Sequence, residues 1–414
     1  MMEGLAARRA ALRLLRAVLG EGRALAEVPP ADLAPADRAR AGRLTAQVLR
    51  HIEPADRLLA PFLRKTPPLP VMSALRLAVV EMAVEGAAPH GAVNAAVALV
   101  REDGKSAHLA GLANAVLRKV AAMEAPFADL PVQKLPRWLR QPLVRVWGRE
   151  TVAEIEAVQA GLPPLDLTLR PGAEAPPGGE RLPGGSVRMP PGVQVTALPG
   201  WEAGAFWVQD AGAAVAARVL APRQGERVID LCAAPGGKTL QLAAAGAKVT
   251  AVDISGARLA RLRENLGRTG LSAEVVAADA RVWRPEAAAD AVLLDAPCSA
   301  TGTIRRHPDL PFVKDGSDLP SLVALQAALL DSALAMLAPG GRLVFATCSL
   351  LPEEGEAQIA AALARHRGLV AEPAEAEGID PLWRDEHGLR LRPDHWAARG
   401  GIDGFYIARL RRIA

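Results

Sequence analysis

Two short segments of this chain set a cysteine among small hydroxyl residues: Leu294-Asp295-Ala-Pro-Cys298-Ser299-Ala-Thr301-Gly302-Thr303 and Phe345-Ala-Thr347-Cys348-Ser349. A lone cysteine is most often an inert buried thiol. Two thiols at one ligand-bearing edge are candidates for nucleophilic and acid–base work. The third, Cys232, falls in Val228-Ile-Asp230-Leu-Cys-Ala233-Ala234-Pro235-Gly236-Gly237-Lys238-Thr239-Leu240, which reads as strand, tight loop, helix. Glycines there let backbone N–H groups approach a ligand closely, and the helix presents its free amides, which suits a carboxylate or a phosphate. The loop is neither a G-x-x-x-x-G-K-[ST] phosphate loop nor a G-x-G-x-x-G dinucleotide fingerprint. Acids end four predicted strands: Asp230, Asp253, Asp279 just after its strand, and Asp295. Such a row beside one glycine loop fits a nucleoside cofactor, with one carboxylate for ribose hydroxyls and another for the amino group of the base.

Three cysteines with no C-x-x-C, and seven histidines with no paired spacing, argue against both a zinc site and a disulfide framework, so no metal is expected. The 414 residues, 50% apolar and 23% charged, have the balance of a soluble globular protein of two or three domains. No apolar run is long enough to span a membrane, and Arg8, Arg9, Arg13 and Arg16 interrupt the N-terminal stretch, so a cytoplasmic location is expected. Residues 1–160 hold 22 Lys and Arg against 16 Asp and Glu, and the remainder is slightly acidic. A basic front half suits a polyanionic partner, although an arginine-rich solvated helical face reads the same way.

The elements that must position these groups can be read from periodicity. Apolar residues recur at helical steps over Leu5–Leu19, Arg38–His51, Pro54–Leu63, Met72–Val84, Ala92–Arg101 and Leu109–Met123, making the first third all-helical. Trp138, Leu139, Leu143 and Trp147 predict a further helix, followed by Glu150–Ala160. Between repeated Pro-Gly breakers only short strands fit, at Leu165–Leu169 and Val193–Leu198. From residue 201 strands and helices alternate: strands at Val228–Leu231, Lys248–Asp253, Glu274–Ala278, Ala291–Asp295, Arg342–Thr347, Leu389–Arg392 and Phe405–Leu410, with helices at Thr239–Ala245, Ala257–Leu266, Pro320–Leu337 and Glu354–His366. This alternation predicts a mostly parallel, doubly wound sheet that binds ligands at the carboxyl ends of its strands.

Asp230-Leu-Cys-Ala-Ala-Pro-Gly-Gly-Lys-Thr239, Asp253-Ile, Ala278-Asp279-Ala, Asp295-Ala-Pro-Cys-Ser299 and Thr347-Cys-Ser349, in that order, resemble the motif series of the Fmu/Sun family of S-adenosylmethionine-dependent RNA cytosine-5 methyltransferases. The front helices, above all Leu112-Ala-Asn114-Ala-Val-Leu117-Arg118, look like the NusB-like domain that precedes certain ribosomal RNA methyltransferases; Asn114 read by itself is equally a helix-packing residue. The resemblance implies a NusB-like helical RNA-binding domain over 1–125, a small α/β RNA-binding subdomain over 126–200, and a Rossmann-like methyltransferase domain over 201–414. It also implies S-adenosylmethionine as cofactor and 16S ribosomal RNA as partner; a monomer is expected. The cofactor would be lined by Cys232, Ala233, Ala234, Pro235, Gly236, Gly237, Lys238, Asp253, Arg258, Asp279 and Asp295.

Methylating cytosine carbon 5 explains why two thiols would be wanted. That carbon is a weak nucleophile until a thiolate adds at carbon 6, and the methylated adduct must then lose the carbon 5 proton and expel the sulfur. The residues alone do not say which cysteine attacks. The resemblance implies Cys348 as nucleophile, Cys298 in release, and Asp295 holding the cytosine edge, with Cys232 a loop spacer without chemistry. Ala300 departs from the family's usual glycine, and Pro311 stands where a lysine often follows His307-Pro308-Asp309. A target base would have to be single-stranded or flipped out. Transfer RNA as substrate, or a non-catalytic RNA-binding assembly factor, are the rival expectations.

Overall fold

The computed structural model describes residues 4–124, 127 and 130–413. By packing, the chain forms two units: Met1–Gly161 with Arg306–Asp315, and Leu162–Arg305 with Gly316–Ala414. The expected boundary at 125/126 lies outside the described residues.

The first unit is helical: α1 (Leu5–Glu21), α2 (Pro35–Arg50), α3 (Ile52–Leu59), α4 (Leu69–Ala83), α5 (Pro89–Glu102), α6 (Ala110–Ala121) and α7 (Arg137–Ala160). One apolar stripe from each of α1 to α6 meets in a common core that includes Leu15, Leu44, Leu59, Leu75 and Leu117, all fully buried. Within it Arg8 donates to Glu81 at 2.8 Å, a buried pair that satisfies both charges. Pro67-Pro68 and the Gly86–Pro89 stretch separate α3, α4 and α5, as the breakers predict. Gly148, at φ 83° and ψ 169°, divides α7 into the two helices that were read from the sequence.

The second unit opens with a small antiparallel sheet: β1 (Leu165–Leu169), β2 (Glu180–Arg181), β3 (Val187–Met189) and β4 (Phe206–Val208), in the order β2-β3-β1-β4. The strand expected at Val193–Leu198 is not there. That segment, flanked by Pro190-Pro191 and Pro199-Gly200, makes only a 3-10 turn at Val195–Ala197. Phe206–Val208 pairs with β1 in its place, so this sheet extends past residue 200.

The large sheet follows. Its elements are α8 (Ala211–Leu220), β5 (Arg227–Leu231), α9 (Gly237–Ala244), β6 (Lys248–Asp253), α10 (Gly256–Thr269), β7 (Glu274–Ala277), β8 (Ala289–Asp295), α11 (Leu310–Val313, packed in the first unit), α12 (Leu319–Ala335), β9 (Leu337–Thr347), α13 (Glu356–Arg365), β10 (Leu369–Glu372), β11 (Leu389–Leu391) and β12 (Phe405–Arg412). The order is β10-β12-β9-β8-β5-β6-β7, with β11 also on β12. Strands β5 to β9 run parallel, and β12 is antiparallel to its neighbours β9, β10 and β11. Both faces are covered: Ile229, Val292 and Leu294 pack in one core with Leu330 and Ala333 of α12, while Val228, Ala291 and Leu293 pack in another with Val215 of α8. Burial on both faces explains why these strands read as continuous apolar runs. The order reverses between β5 and β8, so the loops after those strands flank the switch point where such sheets bind ligands.

Candidate active site

The glycine loop is shaped by what holds it from beneath. Asp230, at the end of β5, is fully buried, and its Oδ2 accepts from Thr239 Oγ1 at 2.6 Å, tying strand to helix across the loop. Cys232 takes φ 60°, and Gly236 takes φ 108° where a Cβ would stand 2.8 Å from the Leu262 side chain, so only glycine fits there. Ala234 N–H donates to Asp253 Oδ2 at 3.1 Å, and Ser255 N–H to Asp253 Oδ1 at 2.9 Å. Arg258 reaches from α10 to Asp253 at 3.8 Å and donates to the Ala234 carbonyl. Asp253 thus holds the loop and keeps a lone pair on each oxygen for a further donor. The Cys232 thiol is pushed up to about 12 by burial and the surrounding carboxylates, and has no nucleophilic character.

Burial also lifts the Asp230 carboxyl, to about 7, against the pull of Thr239. This is above the unfolded value of about 4, so the folded chain binds the proton more tightly, and the stability it contributes is full below pH 4 and lost as pH rises to 7. Asp230→Asn keeps an acceptor for Thr239 and should flatten the fall of Tm between pH 4 and 7. A wild-type slope in the variant would show that Asp230 does not hold this proton.

Lys238, on the first turn of α9, is nearly buried and donates to Asp295 Oδ2 at 2.7 Å. Burial opposes its charge, but the Asp295 carboxylate outweighs that and holds the Lys238 pKa above the ordinary lysine value. The ammonium also lies 5.3 Å from the Phe405 ring centroid. Lys238, expected to line a cofactor, is thereby the partner of Asp295. Asp279, just past the pairing of Ala277 with Asp253, is gripped by Arg281 through backbone N–H at 2.9 Å and guanidinium at 2.6 Å, which holds its carboxyl below the usual aspartate range. Ile254, which follows Asp253, and Val282, three residues past Asp279, are 71% and 75% exposed. Single exposed apolar residues were not a signal in the sequence; two beside these acids are apolar surface that a flat ring can cover.

Strands β8 and β9 pair in register at Asp295 and Ala346, so the loops that follow them are neighbours. They bring Cys298 Sγ and Cys348 Sγ to 3.4 Å. The hydrogen bond to Cys348, then burial, puts the Cys298 thiol well above its usual value, so it keeps its proton at neutral pH. Gly302 N–H donates to the Cys348 carbonyl at 2.9 Å, and a Cβ on Gly302 would stand 2.0 Å from the Gly404 carbonyl oxygen. Arg305, fully buried, fastens this loop to Asp210 at 2.5 Å and to the Gly400 carbonyl at 2.8 Å. Ala300, where the resemblance expects glycine, adopts φ 59°, the left-handed conformation that makes glycine the usual choice. A cavity of about 820 Å³ lined by Arg227, Lys248, Glu274 and Arg284 lies at the amino ends of the strands, away from the thiols. Among the described residues no group of His, Cys, Asp and Glu could hold a metal, and no helix is long and apolar enough to cross a membrane.

The family model for 16S rRNA methyltransferase RsmB/F matches residues 217–411, and that for the NusB family residues 5–122. A ribosomal RNA small subunit methyltransferase B from Sodalis glossinidius is 38% identical over 392 residues, 86% of this chain and 88% of the relative. The chain belongs to the 16S rRNA methyltransferase RsmB/F family. A second such relative, from Erwinia tasmaniensis, is 39% identical over 77% of this chain and 76% of its own. Among solved structures, PH0851 aligns over 98% of both chains with a TM-score of 0.72 at 23% identity, which is a likeness of fold. The RsmB/F match runs from α8 to β12 and includes the glycine loop, all four acids and all three cysteines; the NusB match covers α1 to α6.

Proposed function

We propose that this rRNA methyltransferase transfers a methyl group from S-adenosylmethionine to carbon 5 of a cytosine in small-subunit ribosomal RNA, with Cys348 adding to carbon 6. The observation that carries the reading is the pair of sulfurs 3.4 Å apart beside the Lys238–Asp295 pair. Cys348 bonds to carbon 6 and pushes an electron pair toward carbon 5 as its thiol proton passes to the cytosine ring nitrogen. Asp295, with Lys238 on Oδ2, has Oδ1 available to accept from the cytosine amino group and from the ring nitrogen once that carries a proton, which steadies the ring in its protonated form. S-adenosylmethionine supplies the methyl group as an electrophile.

Release then needs a base for the carbon 5 proton while the carbon–sulfur electron pair returns to Cys348. Cys298 holds its proton first of all because Cys348 is beside it. Bonding Cys348 to carbon withdraws that influence, so Cys298 becomes a stronger acid, gives its proton to solvent, and as the thiolate takes the carbon 5 proton.

The residues fit the cofactor: Gly236 and Gly237 open α9 with free amides, Asp253 retains acceptor capacity for ribose hydroxyls, and Ile254 and Val282 offer apolar cover for the adenine ring. Asp253→Ala should weaken S-adenosylmethionine binding by roughly 1.5–3 kcal/mol, about ten- to a hundredfold, read by calorimetry. Unchanged affinity would remove Asp253 from the cofactor site. The helical domain expected over residues 1–125 supplies RNA affinity in this reading. The function is tested by incubating the protein with unmodified small-subunit ribosomal RNA and methyl-labelled S-adenosylmethionine, then digesting to nucleosides. Label in 5-methylcytidine is expected; label confined to another nucleoside would overturn the reading.

A further inference from the structure

Both thiol loops end on one buried carboxylate that the reaction itself does not use. Glu354 sits in the 3-10 turn Pro352–Glu354 that follows Thr347-Cys348-Ser349, and it is 0% exposed. Its Oε1 accepts from Ser299 N–H at 2.8 Å and from Gln326 Nε2 at 2.9 Å. Its Oε2 accepts from Ser299 Oγ at 2.5 Å and Ser349 Oγ at 2.6 Å. Thr347 Oγ1 donates to its backbone carbonyl at 2.9 Å. Ser299 directly follows Cys298 and Ser349 directly follows Cys348. Gln326, on α12, also donates to the Pro297 carbonyl at 2.9 Å, so the residue before Cys298 is held by the same cluster.

No cation is among these donors. A buried carboxylate stabilised only by neutral groups is costly to hold, and an apolar side chain would fill the space at lower cost. Four convergent donors need an acceptor with four lone pairs, which among side chains only a carboxylate supplies. We infer that Glu354 is a positioning residue that fixes Cys298 and Cys348 at reacting distance through the serines beside them. Its catalytic consequence rests on the two-thiol mechanism proposed above; its geometric consequence does not.

The test uses the full chain with Glu354→Ala and Glu354→Gln. Glutamine can accept from the two N–H donors with its carbonyl oxygen and donate its amide to the two hydroxyls, turned round as acceptors, so it keeps the cluster closed where alanine opens it. Each protein is treated with diamide, which takes up the two thiol hydrogens as a sulfur–sulfur bond forms, and the rate of Cys298–Cys348 linkage is followed by mass spectrometry alongside kcat, KM for RNA and Tm. Wild type should link fastest, the glutamine variant within about threefold of it, and the alanine variant at least about tenfold slower. Turnover should follow the same order, with KM for RNA unchanged. A folded alanine variant that links at the wild-type rate would overturn the inference, and should alanine prevent folding, a folded Ser299→Ala/Ser349→Ala variant, which cuts the same links from the other side, would overturn it too by linking at the wild-type rate. Slower linkage with unchanged turnover would instead uphold the positioning role and refute the two-thiol mechanism.

Discussion

Cys348→Ala should abolish methyl transfer, lowering kcat on the order of 10⁴-fold or more, and should form no covalent complex with RNA. Without the sulfur that adds to carbon 6, carbon 5 does not become nucleophilic: Cys298 holds its proton, and Cys232 is half-buried in the glycine loop with its pKa pushed up to about 12. Cys298→Ala should behave differently. Attack and methylation need only Cys348, so protein and RNA should join and remain joined, seen as a slow band on a denaturing gel that depends on S-adenosylmethionine. The double variant should lose the band. Because Sγ–Sγ is 3.4 Å, either sulfur could in geometric terms reach one ring atom, and only this pair of variants separates their roles.

The second large effect is expected at Asp295. Its side chain is 31% exposed and its charge is balanced by a nearly buried ammonium, so Asp295→Ala would leave Lys238 unpaired, and breaking such a pair costs about 3–5 kcal/mol when fully buried, less here because of the exposure. Asp295→Asn is the sharper probe. The amide oxygen can still accept from Lys238, but the group can no longer carry the negative charge that steadies a ring protonated at nitrogen. We expect kcat to fall by about 10²–10⁴ while Tm and KM for RNA stay near wild type. A fall in affinity alone, with kcat unchanged, would assign Asp295 to binding and leave activation of the base to another residue.

Much of the large sheet was legible because its strands are buried on both faces and bounded by glycine or acid. Lys248–Asp253 begins and ends in the structure where the sequence places it, and the other parallel strands differ by a residue or two at one end, apart from β9, which begins earlier through Pro339-Gly340-Gly341. The alanine-rich helix Ala211–Leu220 was missed, since Ala-Gly-Ala-Ala-Val-Ala-Ala carries almost no amphipathic contrast. Val193–Leu198 has strand-forming residues and makes a turn, because β-structure requires a partner and Phe206–Val208 takes the place beside β1.

At the site, the cysteines and acids were visible as motifs, but what each acid touches was not. Asp230 proves to be inward-facing on Thr239, and Lys238 turns to Asp295 across 57 positions of sequence. Glu354 was hidden for a different reason. In a Pro-Glu-Glu-Gly run an acid reads as a solvated turn residue, and its burial depends on donors from Ser299 and Gln326 that only folding brings to it. Arg305, which anchors the Cys298 loop from within the core, is equally invisible in a basic Ile-Arg-Arg-His stretch.

The central claim is that Cys348 forms the bond to the base. It is tested most directly by trapping the Cys298→Ala protein on its RNA with S-adenosylmethionine, digesting protein and RNA, and locating the nucleotide-bearing peptide by mass spectrometry. A methylated cytidine nucleotide attached to the peptide that contains Cys348 is the predicted result. Recovery of no nucleotide on that peptide, together with an adduct on Cys298 when the Cys348→Ala protein is treated in the same way, would contradict it.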